Sequence, residues 1–144
     1  MHKNFLLAAL WVVVGCKAPV DDEAAIKAVL ERESATWRAG DVAGHAACWH
    51  LQPYSRILVS LPNGKTIDVP PQAIINPTPA DMDLGSKAVN SNYKIGINGN
   101  TAVVSHDETS TAPDGKKSLS YELRVLEKIK GEWKLVAQSI HVYE

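Results

Sequence analysis

Residues 118–144, SLSYELRVLEKIKGEWKLVAQSIHVYE, constrain the fold more than any other stretch. They read as two long strands folded back at Lys130-Gly131. Tyr121, Leu123, Val125 and Ile129 alternate with polar residues before the turn, which is the period-2 pattern of a strand. After the turn, Trp133 and Leu135 continue one face, and Val136, Ile140 and Val142 occupy the other. Apolar residues on both faces call for cover on two sides over part of the length. The helices that precede the hairpin are the available cover. The chain has 144 residues, enough for one domain with a real core. A net charge of −1 with 22% charged residues leaves no basic footprint for nucleic acid.

The first residues carry a different signal. Lys3 and the amino terminus supply positive charge, and Phe5 to Val14 is a nearly unbroken apolar run. That run is shorter than the ~20 residues that span a bilayer. A basic start, a short apolar run and small residues at its end read as a secretory signal. Val13-Val14-Gly15-Cys16 resembles the bacterial lipobox, in which cleavage falls before the cysteine and the cysteine carries the lipid. The resemblance implies residues 1–15 as a lipoprotein signal peptide, Cys16 as the lipidation site and residues 16–21 as a short tether. It places residues 22–144 in the cell envelope, lipid-anchored and facing the periplasm or the outside. An ordinary signal peptide that happens to contain a cysteine is the alternative. With Cys16 acylated, Cys48 has no partner for an intramolecular disulfide, and its apolar helical setting reads as a small buried residue.

The rest divides cleanly. Apolar residues at helical spacing predict a helix from Asp22 to Ala39, with Ile26, Val29, Leu30, Glu33 and Trp37 on one side. Gly40 stops it, and Asp41 caps a second helix over VAGHAACWH. Pro53 ends that one. Strands follow at Tyr54–Leu61 and Thr66–Val69, then one helical turn at Gln72–Ile75 and a loop at Asn76–Gly85. Two further strands, Ala88–Ile97 and Thr101–Ser110, join through Asn98-Gly99-Asn100, a hairpin turn signal. Helices first and strands later predict an α+β fold.

That order, with TWRAGDVAGHAACW early and GEWKLVAQSIHVY late, resembles the SnoaL-like branch of the nuclear-transport-factor-2-like superfamily. The resemblance covers residues 22–143. It implies a cone-shaped α+β barrel, with N-terminal helices packed in a curved antiparallel sheet and an apolar pocket at the open end. It also implies frequent dimerisation through the outer sheet face. Members include ketosteroid isomerases, polyketide cyclases, scytalone-type dehydratases and many proteins with no known activity, so the fold does not specify a reaction.

Within that frame, inward polar residues are the ones to examine. Ala102, Val104, His106 and Glu108 share one face of their strand. In the last strand, Trp133, Leu135, Ala137, Ser139, His141 and Tyr143 share a face. His141, His106 and Glu108 are therefore expected in the pocket, with Tyr121, Trp37, Trp49 and Tyr54 as walls. Histidine serves as a base near neutral pH with little tuning. Each histidine could equally be wet, and each Trp could equally be core. The Tyr–acid oxyanion pair of the isomerases does not align on this chain. No His, Cys or Asp cluster has metal-ligand spacing, and no Gly-rich phosphate loop or Gly-x-Ser-x-Gly elbow is present.

These residues predict a membrane-anchored domain that binds a small, partly apolar molecule without a cofactor or metal. Two alternatives stand beside it. One is a cofactor-free lyase or isomerase with a histidine base. The other is a dimeric interaction module whose outer face includes Val136, Ile140 and Val142.

Overall fold

The structure, a computed structural model, describes residues 21–144. The expected signal peptide, residues 1–15, and the expected lipidation site, Cys16, lie outside the described residues. α1 runs over Asp22–Ala39. Asp21 caps it by accepting the Ala24 N–H at 3.1 Å, and Asp22 and Glu23 sit in the first turn, where the helix dipole favours acid. Gly40 ends it with φ 72°, and a Cβ there would stand 3.0 Å from Leu84 Cδ2. The backbone angle is what calls for glycine.

α2 covers Val42–Ala46, shorter than the sequence pattern suggests. The backbone beyond it bonds to the sheet instead of extending the helix. Leu135 N–H donates to the Cys48 carbonyl at 2.9 Å, and His50 N–H donates to the Leu135 carbonyl at 2.9 Å. The first strand, β1, is also shorter than expected, Ile57–Ser60. Ser55 is taken up in a turn, with its hydroxyl accepting the Gln52 N–H at 2.7 Å. β2 is Thr66–Val69 and α3 is Pro71–Ile75, followed by a 3-10 turn at Pro79–Asp81. β3 (Lys87–Asn98), β4 (Thr101–Thr111), β5 (Lys117–Ile129) and β6 (Glu132–Val142) complete the chain. The β5–β6 turn places Lys130 and Gly131 at φ 50° and 87°, two left-handed residues as a tight hairpin requires.

The six strands form one sheet in the order β2-β1-β6-β5-β4-β3. All neighbours are antiparallel except β1 and β6, which run parallel. The core fills one end. Ile26 and Leu30 of α1 pack with Ala102, Val104, Leu126, Trp133, Leu135 and Trp49.

One irregularity decides what faces the other end. Val125 pairs with Ala137, but Leu126 pairs with Leu135, so Val136 is an extra residue in β6. A β-bulge of this kind shifts every later side chain to the opposite face. Trp133 and Leu135 point inward before it, and Gln138, Ile140 and Val142 point inward after it. This corrects strict alternation through β6. Ser139, His141 and Tyr143 are exposed on the outer face. Val136 is fully buried, and Ile140 and Val142 line the interior cavity, so these three do not form an outer patch.

β5 also reverses the usual arrangement. Tyr121 and Leu123 face out, 54% and 45% exposed, while Ser120, Glu122 and Arg124 are buried. Charged residues on an inner face mark a region that is not ordinary core.

Candidate functional site

Four elements change character at the same level of the cone. α1 passes from Ile26 and Leu30 to Glu33, Ser34 and Trp37. β4 passes from Ala102 and Val104 to His106 and Glu108. β5 passes from Leu126 to Arg124 and Glu122, and β6 from Leu135 to Gln138. Beyond that level lies a cavity of about 550 Å³. Ile57, Val59, Ile74, Ile140 and Val142 form its apolar wall, and Trp37 lies along it.

Arg124 is the centre of the polar floor. Its guanidinium donates to Glu33 Oε2 at 3.0 Å, to Gln138 Oε1 at 2.7 Å and to Glu122 Oε2. Burial works against its charge, but the carboxylates of Glu122, Glu33 and Glu108 outweigh that and raise its pKa above the ordinary arginine value. Nearer the mouth, Arg38 donates to Ser34 Oγ and to Glu108 Oε1, each at 2.6 Å. Burial and the neighbouring Glu122 push the Glu108 carboxyl above its usual range, against the pull of Arg38 and Arg124.

His45 stands beside this network. Its side chain is 2% exposed, and Nδ1 is 3.5 Å from Glu33 Oε1. Among the described residues, neither ring nitrogen has a hydrogen-bond partner. Its ring lies 5.0 Å from that of Trp37. Among the described residues, no three His, Cys, Asp or Glu side chains are grouped to hold a metal ion.

The residues singled out in the sequence separate. Glu108 and Trp37 line the cavity. His106 is buried on the inner face but outside the cavity lining, with its ring 5.0 Å from Tyr93 and Nε2 3.7 Å from Glu122 Oε2. Trp49 belongs to the core. Tyr54, 58% exposed, donates to Glu127. His141 and Tyr121 pair across β5 and β6 on the outer face. They miss the cavity because the bulge and the inverted β5 put their side chains on the other side of the sheet.

Glu33, Arg124, Glu122, Arg38 and Gln138 carry the floor and were not singled out as site residues. The sequence held two signs of them. Glu33 sits in the apolar stripe of α1, and Glu122 and Arg124 share a face with buried Leu126.

Burial lowers the His106 pKa, with Arg124 adding to the effect. The folded state therefore prefers neutral His106. The stability this contributes is present above the unfolded value of about 6.5 and is lost as pH falls toward the folded value. The urea midpoint should fall between pH 7.5 and 5.5, and His106→Gln should flatten that slope. An unchanged slope in the variant would assign the pH dependence to other groups.

No helix among the described residues is long and apolar enough to cross a membrane. No protein-family model and no curated protein matches the sequence. Solved structures do match in shape. A Nostoc punctiforme protein of unknown function with a cystatin-like fold superimposes with a TM-score of 0.67 at 17% identity, covering 88% of this chain and 95% of that one. An NTF2-like protein from Cytophaga hutchinsonii gives 0.65 at 21% identity, covering 85% and 98%. A candidate dehydratase of the NTF2-like family from Streptomyces avermitilis gives 0.64 at 13% identity, covering 86% and 97%. At these identities the likeness establishes the fold.

Proposed function

We propose that this chain uses its NTF2-like fold to bind a small, partly apolar molecule, held at a membrane surface through Cys16. The observation that carries the reading is the cavity of about 550 Å³. Its size falls within the range of small-molecule sites, and an apolar wall with a few convergent polar groups is their usual lining. A packed core would have closed this space with side chains, as the other end of the cone does with Trp133 and Leu135.

Benzyl alcohol is a suitable neutral probe. A ligand at ten times its dissociation constant adds about 1.4 kcal/mol to the folded state. That raises the melting temperature by roughly 5 °C for a domain of this size. The rise should vanish in Ile140→Trp, which fills the cavity from β6. A wild-type protein that shows no rise at tens of ~Kd-scale millimolar steps, with no ligand-observed NMR signal either, would sink the reading. The anchor is checked separately: Cys16→Ser should move the protein from the membrane fraction to the soluble one.

A further inference from the structure

The charges inside the cavity do not balance. Glu33, Glu108 and Glu122 face two guanidiniums, those of Arg38 and Arg124, while His45, 3.5 Å from Glu33, and His106, 3.7 Å from Glu122, add positive charge only when protonated. All three carboxylates are buried, with side chains 8%, 9% and 3% exposed. The mouth adds to the excess. Asp81 and Asp83 line it, the first engaged with Thr78 and the second with Ser110 Oγ at 3.2 Å. Neither has a cationic partner among the described residues, whereas Asp68 is compensated by Arg56 at 2.7 Å. Among the described residues, no lysine lines the cavity.

Three buried carboxylates that share two guanidiniums are costly together, and an incoming positive charge relieves that cost. A second observation points the same way. The His45 ring lies on the cavity wall with both nitrogens unpartnered and only 2% of its side chain exposed. Whichever nitrogen is unprotonated is an acceptor with no donor among the described residues. Trp37, 5.0 Å away, presents an aromatic ring to the same space, and such a ring attracts a cation over its face. Ile57, Val59, Ile74, Ile140 and Val142 give the cavity an apolar side, beside the neutral polar groups of Ser118, Ser120 and Gln138. Acceptors, excess negative charge, an aromatic face and an apolar wall together fit one kind of ligand.

We infer that the cavity takes an organic ammonium ion: an amine bearing a compact apolar group, its charged head at Glu108 and His45 and its body against Ile140 and Val142. The inference rests on the small-molecule reading and narrows it to a chemical class.

Three probes with the same ring separate the two ideas: benzylammonium, benzyl alcohol and benzoate, titrated at low salt and pH 7.5 into the full-length protein. Benzylammonium is expected to bind at least ~10-fold tighter than benzyl alcohol, and benzoate more weakly than either. Glu108→Gln should weaken benzylammonium about 10-fold and leave benzyl alcohol unchanged. Should that variant melt much earlier than the parent, Asp83→Asn tests the same charge from an exposed position and should weaken benzylammonium alone. Equal binding of benzylammonium and benzyl alcohol, or preference for benzoate, would overturn the ammonium class while leaving a small-molecule cavity. Failure of all three probes would remove both.

Discussion

Arg124→Met is expected to lower the melting temperature by on the order of 10–20 °C. The methionine matches the guanidinium stem in bulk and apolar character, so the loss is electrostatic. Removing the cation leaves the Glu33 and Glu122 carboxylates, 8% and 3% exposed, facing each other across a site that held their shared partner. It also strips Gln138 Oε1 of its 2.7 Å donor. Breaking a buried pair in this way costs about 3–5 kcal/mol, mostly the penalty of a stranded charge. Adding Glu122→Gln to Arg124→Met should recover part of the loss, because one stranded carboxylate becomes neutral. A thermal melt of the three proteins decides it. A loss below about 1 kcal/mol for Arg124→Met would mean that water reaches these groups freely, and that the floor of the cavity is wet rather than buried.

Leu123→Lys is expected to raise a dimer dissociation constant by more than ~100-fold. We propose that the outer face of β4, β5 and β6 joins a second copy of this chain. Val103, Tyr121, Leu123 and Tyr143 are 46%, 54%, 45% and 40% exposed there. Val103 pairs with Val125, and Leu123 and Tyr121 follow on the same face of β5, flanked on β6 by Ser139 and His141. The Tyr121 and Tyr143 rings stack at 4.5 Å, a rigid aromatic platform. Patches of this kind mark contact sites. Burying a leucine is worth about 1.5–3 kcal/mol, and a two-fold interface counts each substitution twice. Lysine would add an unpaired charge to that loss. Sedimentation equilibrium over a concentration series reads the result directly. A wild-type protein that stays monomeric throughout would end the proposal.

Local signals in the sequence carried the architecture well. Gly40, Asn98-Gly99 and Lys130-Gly131 marked a helix end and two hairpins because each has a backbone requirement that few residues meet. The α1 boundaries followed from caps and periodicity. Phase was harder to read. Alternation says which residues share a face only while the register is unbroken, and nothing about Val136 announces an extra residue. In β5 the apolar set Tyr121 and Leu123 looked like the buried set, and the charged set looked wet. The fold reverses them, because Glu122 and Arg124 satisfy each other inside and the tyrosine and leucine face outward. His141 was drawn into the expected pocket by the first error and Tyr121 by the second. Glu108 and Trp37 escaped both, since β4 and α1 keep their periodicity throughout.

The bulge at Val136 divides labour along a single strand. Residues 133–135 answer to packing, where an altered methylene is felt at once. Gln138, Ile140 and Val142 face the cavity instead, and their phase is set anew by the bulge. Substitutions in the upper half can therefore accumulate without disturbing the closed end. A scaffold partitioned this way can exchange one guest for another while its shape persists.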